Sequence, residues 1–246
     1  MSLPVHLVDS LDGAGPGTVV EITGDEAHHA VAVRRLRTGE QVVLTDGCGT
    51  SALGEVGGTG KRLFSVTVSS VSVHEKPSPA FTVVQALPKG DRGELAVEVL
   101  TEVGADVVVP WAASRSVAVW RGERAARSLA KWRATAREAA KQARRSWFPT
   151  VAPMASTDDV AELLRGADLA VVLHEEGAVP LASLEVPEEG TVVVVVGPEG
   201  GIAPDELAAF EDARVTPVRL GDEVLRTSTA GVAAVSALLA RTARWR

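Results

Sequence analysis

The densest run of residues able to do chemistry is VGPEGGIAPDE, residues 196–206, where Gly197, Pro198, Glu199, Gly200 and Gly201 follow five consecutive valines. Glycines at the carboxyl end of a buried strand let backbone N–H and C=O groups approach a ligand closely, and ligands bind at that end of a parallel sheet. Pro204 suits a first helical position with Asp205 and Glu206 in the first turn, so the loop leads into a helix N-terminus. Taken alone, such a loop is equally a tight strand-to-helix turn. Two further segments make a site of it. LHEEG at 173–177 follows the apolar run LAVVLH, and LGDEVLRTSTAG at 220–231 follows VTPVRL and opens the last helix, AGVAAVSALLA. Three loops are therefore expected to converge.

The elements that must carry them are strands alternating with helices, the pattern of a parallel sheet with crossovers. FTVVQAL at 81–87 is a strand. DRGELAVEVLTEVGA follows as a helix in which Leu95, Val99 and Val103 recur at helical spacing, and VVVP at 107–110 is the next strand. A long helix is expected from about Arg124 to Ser146, ending before Pro149, and LAVVLH and TVVVVV (191–196) are strands buried on both faces. The first seventy residues or so differ. TVVEI at 18–22, QVVLTDG at 41–47 and LFSVTVSSVSV at 63–73 predict a small antiparallel barrel, interrupted by one helix that Asp25 caps and Gly39 follows. HEKPSPA, with two prolines, reads as a linker. The expected division is a β-domain at 1–73, a linker at 74–80 and an α/β domain at 81–246.

A chain of 246 residues with 46% hydrophobic content suits two modest domains, and one cysteine excludes a disulfide framework and a cysteine-rich metal site. No secretory leader or apolar run of about 18 residues is seen, so a soluble cytoplasmic protein is expected. A net charge of −7 argues against nonspecific nucleic-acid binding by the whole surface, so any RNA contact must be local. Two basic patches qualify. Arg133, Arg137, Lys141 and Arg145 are spaced by four, with Arg144 beside them and Trp132 and Trp147 near the ends; Arg34, Arg35 and Arg37 form the second patch. The bland reading of either is a solvated face. GGTGKR at 57–62 lacks the Ser or Thr of a phosphate loop and is a hairpin turn, and His28 and His29 lack partners at ligand spacing, so no metal is expected.

Together, LHEEG, GPEGG and LGxxVLRTxTA resemble the RsmE family of 16S rRNA uracil-N3 methyltransferases, of the SPOUT superfamily. The likeness extends through ALPKGDRGELAVEVLTEVGADVVVP, RSV at 115–117, KWRATAREAAKQARRSWFPTV and HHAVAVRRLRTGEQVVLTDG. It implies a PUA-like N-terminal domain, a trefoil-knotted α/β methyltransferase domain, and a homodimer with its active site at the interface. It also implies methylation of the ring N3 of one uridine, of the uridine 1498 type. S-adenosylmethionine would then sit in the knot, with its adenine held by backbone groups of Leu173, Gly197, Gly201, Leu220 and Leu225. His174, Pro198, Glu199, Gly200, Gly221, Val224, Thr229 and Ala230 complete the expected cofactor site.

The uracil ring nitrogen must lose a proton to attack, and charge then appears on the flanking carbonyl oxygens. Arg226 is the candidate stabiliser of that charge, against the alternative of a salt bridge at a helix start, and Glu199 the candidate base, against a role in orienting backbone amides. Departures from the family pattern are Ser228 where RTET is usual, Val99 where a lysine is common, and Val5 and His6 where an Arg-Phe pair stands. A ribose 2′-O-methyltransferase of the same superfamily and a non-catalytic RNA-binding dimer are the competing readings. The last helix, with Val232, Val235 and Leu239 on one face and Ala234 and Leu238 on another, is expected to need a second chain to cover it.

Overall fold

Period-two alternation in the first third of the chain makes a curled five-stranded sheet. In this computed structural model, which describes residues 3–213, 215 and 217–246, the strands are β1 (Val5–Leu7), β2 (Val19–Thr23), β3 (Gln41–Thr45), β4 (Thr50–Thr59) and β5 (Leu63–Val73). Their order is β1-β3-β4-β5-β2, parallel between β1 and β3 and antiparallel elsewhere. Phe64, Val66 and Val68 alternate inward along β5 and meet Ile22, Val42, Leu44 and Val56 in one core. Strand β4 escapes a propensity reading because three of its ten residues are glycine. Two register shifts interrupt it, and at Gly54 a Cβ would stand 2.5 Å from Val66 Cγ1 and 2.6 Å from the Thr67 carbonyl oxygen. The expected hairpin turn is present: the Gly60 amide donates to the Leu63 carbonyl at 2.7 Å. Helix α1 (Gly24–His28) starts with Asp25 inside its first turn rather than at the cap, then widens into a π turn over His29–Val33.

The remaining elements form an all-parallel sheet with helices on both faces. They are β6 (Ala80–Ala86), α2 (Arg92–Val103), β7 (Val107–Trp111), α3 (Gly122–Gln142), β8 (Thr150–Val151), α4 (Thr157–Arg165), β9 (Leu169–Leu173), β10 (Val179–Pro180), β11 (Thr191–Val196), α5 (Pro204–Asp212), β12 (Pro217–Arg219) and α6 (Thr227–Leu239). The strand order is β10-β12-β9-β11-β6-β7-β8, with β11 central between β9 and β6. The valine run of β11 serves both faces. Val192, Val194 and Val196 pack with Leu100, Val235 and Leu239 on one side, and Val193 and Val195 with Leu164, Phe210 and Ile202 on the other. Helix α4, unremarked in the sequence, starts with a capping box in which Ser156 Oγ accepts from the Asp159 amide and Asp159 accepts from the Ser156 amide.

By contacts the chain divides into one unit of residues up to Lys76 with Lys141–Phe148, and another of Pro77–Ala140 with Pro149–Arg246. Residues 141–148, assigned by pattern to the α/β domain, thus cluster with the β-unit. Helix α3 stops at Gln142, short of the expected Ser146, and Arg144 follows at φ +54°. Of the residues of α6 expected to need a second chain, Ala234, Val235, Leu238 and Leu239 are buried by their own chain, on α2, β6 and β11, while Val232 is half-buried. Gly231 permits the approach, since a Cβ there would lie 3.2 Å from Val196 and 3.3 Å from Leu100.

Candidate functional site

Strands β9, β11 and β12 end at the same sheet edge, so the three motif loops leave side by side and enclose a cleft of about 640 Å³. The loop after β9 is pinned to β12: the His174 amide donates to the Val218 carbonyl at 3.0 Å, and Gly177 lies so close that a Cβ would stand 2.5 Å from the Val218 carbonyl carbon. The His174 ring lines the cleft while its Nδ1 accepts from the Glu176 amide at 3.2 Å. After β11 the chain turns sharply, with the Gly201 amide donating to the Pro198 carbonyl at 2.9 Å and Gly201 at φ +72°. Side chains would crowd this turn from both sides. A Cβ at Gly197 would meet Ile202 at 2.8 Å, and one at Gly200 would meet the Arg115 backbone oxygen at 3.2 Å.

Two buried side chains missed by the sequence reading hold these loops. Glu206 is 3% exposed. Its Oε1 accepts from the Ser114 amide at 2.8 Å and from the Thr157 hydroxyl at 3.3 Å, and its Oε2 accepts from the Ala203 amide at 3.0 Å. One carboxylate thereby ties the loop after β7 to the start of α5, and Arg115 on that loop donates to the Gly200 carbonyl at 3.3 Å. Gln85, at the end of β6, donates to the Ala86 carbonyl at 3.1 Å and to the Thr227 carbonyl at 3.3 Å, anchoring the first residue of α6.

Of the expected cofactor residues, Leu173, His174, Gly197, Pro198, Glu199, Gly200, Gly201, Leu220, Gly221, Val224, Leu225 and Ala230 all line the cleft, with Arg226 and Thr227. Thr229 is the exception: its hydroxyl donates to the Arg226 carbonyl at 3.2 Å and closes the first turn of α6. Arg92, Arg115 and Arg219 also line the cleft, unforeseen. Arg226 occupies the N-cap position of α6, is exposed, and has no ion pair among the described residues. Glu199 Oε1 accepts from the Lys89 backbone amide at 3.2 Å, so it does hold a backbone group, in the loop after β6. Ser228 is 4% exposed. Val224 and Leu225, by contrast, present apolar surface to solvent, at 77% and 41% exposure.

The basic patches fare unequally. Arg34, Arg35 and Arg37 are exposed, with Arg35 at φ +57°. The stripe expected along one helix is not a uniform charged face, and Arg144 and Arg145 lie beyond the end of α3. Arg133 donates to the Val151 carbonyl at 3.1 Å, Arg137 lies 3.7 Å from Glu138, and Arg145 donates to the Trp147 carbonyl at 2.9 Å, while Arg144 is exposed. Lys141 is a correction: it is 7% exposed and its ammonium meets Glu26 at 2.9 Å, so it serves the interior of the β-unit, not a phosphate. Trp132 is likewise core, edge-on to Trp120. Among the described residues no group of three or more His, Cys, Asp and Glu is placed to hold a metal ion, and no helix is long and apolar enough to cross a membrane.

Residues 74–239 match the RNA methyltransferase domain family and residues 22–69 the RNA methyltransferase PUA domain family. The chain is 46% identical over 242 residues to the ribosomal RNA small subunit methyltransferase E of Mycobacterium bovis, covering 97% of this chain and 92% of the relative. It is 31% identical to the Bacillus subtilis protein of the same name, covering 88% of each. Among solved structures, the Neisseria gonorrhoeae ribosomal RNA small subunit methyltransferase E bound to S-adenosyl methionine superposes with a TM-score of 0.86 at 25% identity, covering 98% of both chains. A Legionella pneumophila protein described as a putative methyltransferase has the same fold, with a TM-score of 0.89. A curled sheet of the PUA type followed by a parallel-sheet methyltransferase domain, carrying LHEEG, GPEGG and LRTSTAG at one sheet edge, belongs to the ribosomal RNA small subunit methyltransferase E family.

Proposed function

We propose that this protein transfers a methyl group from S-adenosylmethionine to the ring N3 of one uridine in 16S ribosomal RNA. The carrying observation is the meeting of three motif loops around one cleft with the exposed Arg226 on its wall. The cleft fits the cofactor: its volume is within the ~300–1,000 Å³ of small-molecule sites. Glycines 197, 200 and 201 put bare backbone on the cleft wall, and the exposed apolar faces of Val224 and Leu225 suit an adenine. The lining is of mixed charge, with Glu175, Glu176, Asp222 and Glu223 alongside Arg92, Arg115, Arg219 and Arg226, which suits a ligand carrying both a carboxylate and positive groups. When bound, S-adenosylmethionine supplies an electrophilic methyl group. The protein's own work is to orient and deprotonate. Arg226 donates to the uracil carbonyl oxygen on which charge grows, and Glu199 accepts the ring proton, with its other acceptor capacity holding the Lys89 amide.

Of the basic residues expected to contact RNA, Arg34, Arg35, Arg37, Arg133, Arg137 and Arg144 are exposed and can meet phosphates. A homodimer, a cytoplasmic location among ribosomal RNA and a trefoil-knotted path belong to the same reading. The position of β12 outside β9, with α6 returning to β6 and β11, supports the knotted path. The test is nucleoside mass spectrometry of small-subunit RNA after incubation with the protein and S-adenosylmethionine. N3-methyluridine is expected; a 2′-O-methyl nucleoside transfers the assignment to ribose chemistry, and RNA binding without methylation to a silent binder.

A further inference from the structure

We propose that a second cleft, beside the first, receives the acceptor nucleotide of the RNA as a single unstacked uridine. This rests on the methyltransferase reading above and names the half of the site that reading leaves open. Strands β6 and β11 are neighbours in register, Gln85 beside Val196, so the loops that follow them emerge together. The loop after β6 and the first turn of α2 form a cleft of about 590 Å³ with Val117 and Glu199. Arg92 and Glu199 line both clefts, which makes them a common wall. Methyl transfer requires the attacking atom and the methyl carbon to be in contact, roughly 3–3.5 Å apart before reaction. The acceptor must therefore lie against the cofactor, and the two shared lining residues put this cleft next to the cofactor's.

The lining suits a uracil. Leu95 and Val117 are 45% and 60% exposed and offer aliphatic surface for the face of a base taken out of its stack. The N3 edge of uracil presents one N–H between two carbonyl oxygens. The cleft presents the carboxylates of Asp91 and Glu199 to accept from the N–H, and the cations of Lys89 and Arg92 for the adjoining phosphate or the carbonyl oxygen that Arg226, on the neighbouring cleft, does not reach. Neither cation has an ion pair among the described residues. Cytosine, an acceptor at N3, would set its lone pair against the carboxylates.

Leu95→Asp and Val117→Asp test this, since both residues are exposed and neither lines the cofactor cleft. For wild type, steady-state methylation of small ribosomal subunits and calorimetric cofactor binding give the reference. Each variant should raise KM for the subunit by about tenfold while cofactor affinity and melting temperature stay at wild-type values. Unchanged KM and kcat overturn the proposal, as does a fall in cofactor affinity equal to the loss of turnover. Conversion of a wild-type dimer to monomer by the same substitutions, at unchanged KM, also overturns it and makes the cleft an interface between copies. Photocrosslinking gives a readout independent of turnover. Small-subunit RNA carrying 4-thiouridine should crosslink to the peptide holding Leu95 or Val117; crosslinks confined elsewhere overturn the proposal even where methylation is intact, whereas absent methylation by wild type sinks the functional reading itself.

Discussion

Removing Arg226 should subtract charge from the cleft and nothing from the fold, because its guanidinium has no ion pair among the described residues and its backbone alone supports the first turn of α6. Arg226→Ala is accordingly expected to slow single-turnover methylation by ~10²- to 10³-fold, the usual cost of one lost oxyanion donor. Cofactor affinity and melting temperature should stay near wild type. Lysine restores only part of the rate, since a point charge lacks the planar fork. A large drop in melting temperature with rate preserved per folded molecule would return Arg226 to a structural role. Arg226 was legible because it sits inside a motif whose glycines and hydroxyls have few other uses together. Glu206 and Gln85 were not. A carboxylate in the first turn of a helix ordinarily faces water and favours the helix dipole, and only the fold reveals that Glu206 is buried with three donors. Gly201 is set by its backbone: at φ +72° an L side chain is strained whatever the space, and the nearest protein atom to a Cβ there is Arg115 Nη1 at 4.0 Å.

At the scale of elements, periodicity named the strands and helices that carry apolar stripes and missed those made of glycine or only two residues long. β5 and β11 begin and end where their alternation and valine run place them. β4 is hidden by its glycines, and β8 and β10 are too short to have a period. The end of α3 was misjudged because its basic spacing continues past Gln142, whereas Lys141 is taken by Glu26. Charge spacing cannot distinguish a lysine that faces solvent from one whose stem is buried. That ion pair has a consequence for α1, where Glu26 lies. Burial alone would raise the Glu26 carboxyl, but hydrogen bonds from His6 and Lys141, with their charges, hold it at about 2, against an ordinary 4.5. The folded pKa lies below the unfolded one, so protonation favours the unfolded chain. The stabilisation is complete above pH 4.5 and is lost as pH falls towards 2. Denaturant titrations followed by N-terminal amide signals should show this slope in wild type. In Glu26→Gln the slope should be absent, with stability about 2 kcal/mol lower at neutral pH after discounting for partial exposure. Parallel slopes in the two proteins would remove the pair from acid stability.

For the whole molecule, sequence pattern separated a strand-rich part from an alternating part, because period two and period 3.6 demand different cores. It could not order the parallel strands: β12 lies outside β9, and β6 lies beside β11, through contacts far apart in sequence. The two compact units have separate cores, one around Leu44, Phe64 and Val66, the other on the two faces of the parallel sheet. Every residue lining the large cleft belongs to the second unit. A ligand bound there stabilises what must unfold to release it, by RT ln(1 + [L]/Kd), about 2.7 kcal/mol at a hundredfold excess over Kd. With units that open independently, S-adenosylmethionine at that excess should slow exchange of globally protected amides in β6, β9 and β11 by about a hundredfold. Amides of β3, β4 and β5 should keep their ligand-free rates. Amide hydrogen exchange with and without cofactor measures both groups in one sample. Equal slowing in both would mean that the units unfold as a single cooperative body, and slowing confined to β3–β5 would place the cofactor outside the cleft altogether.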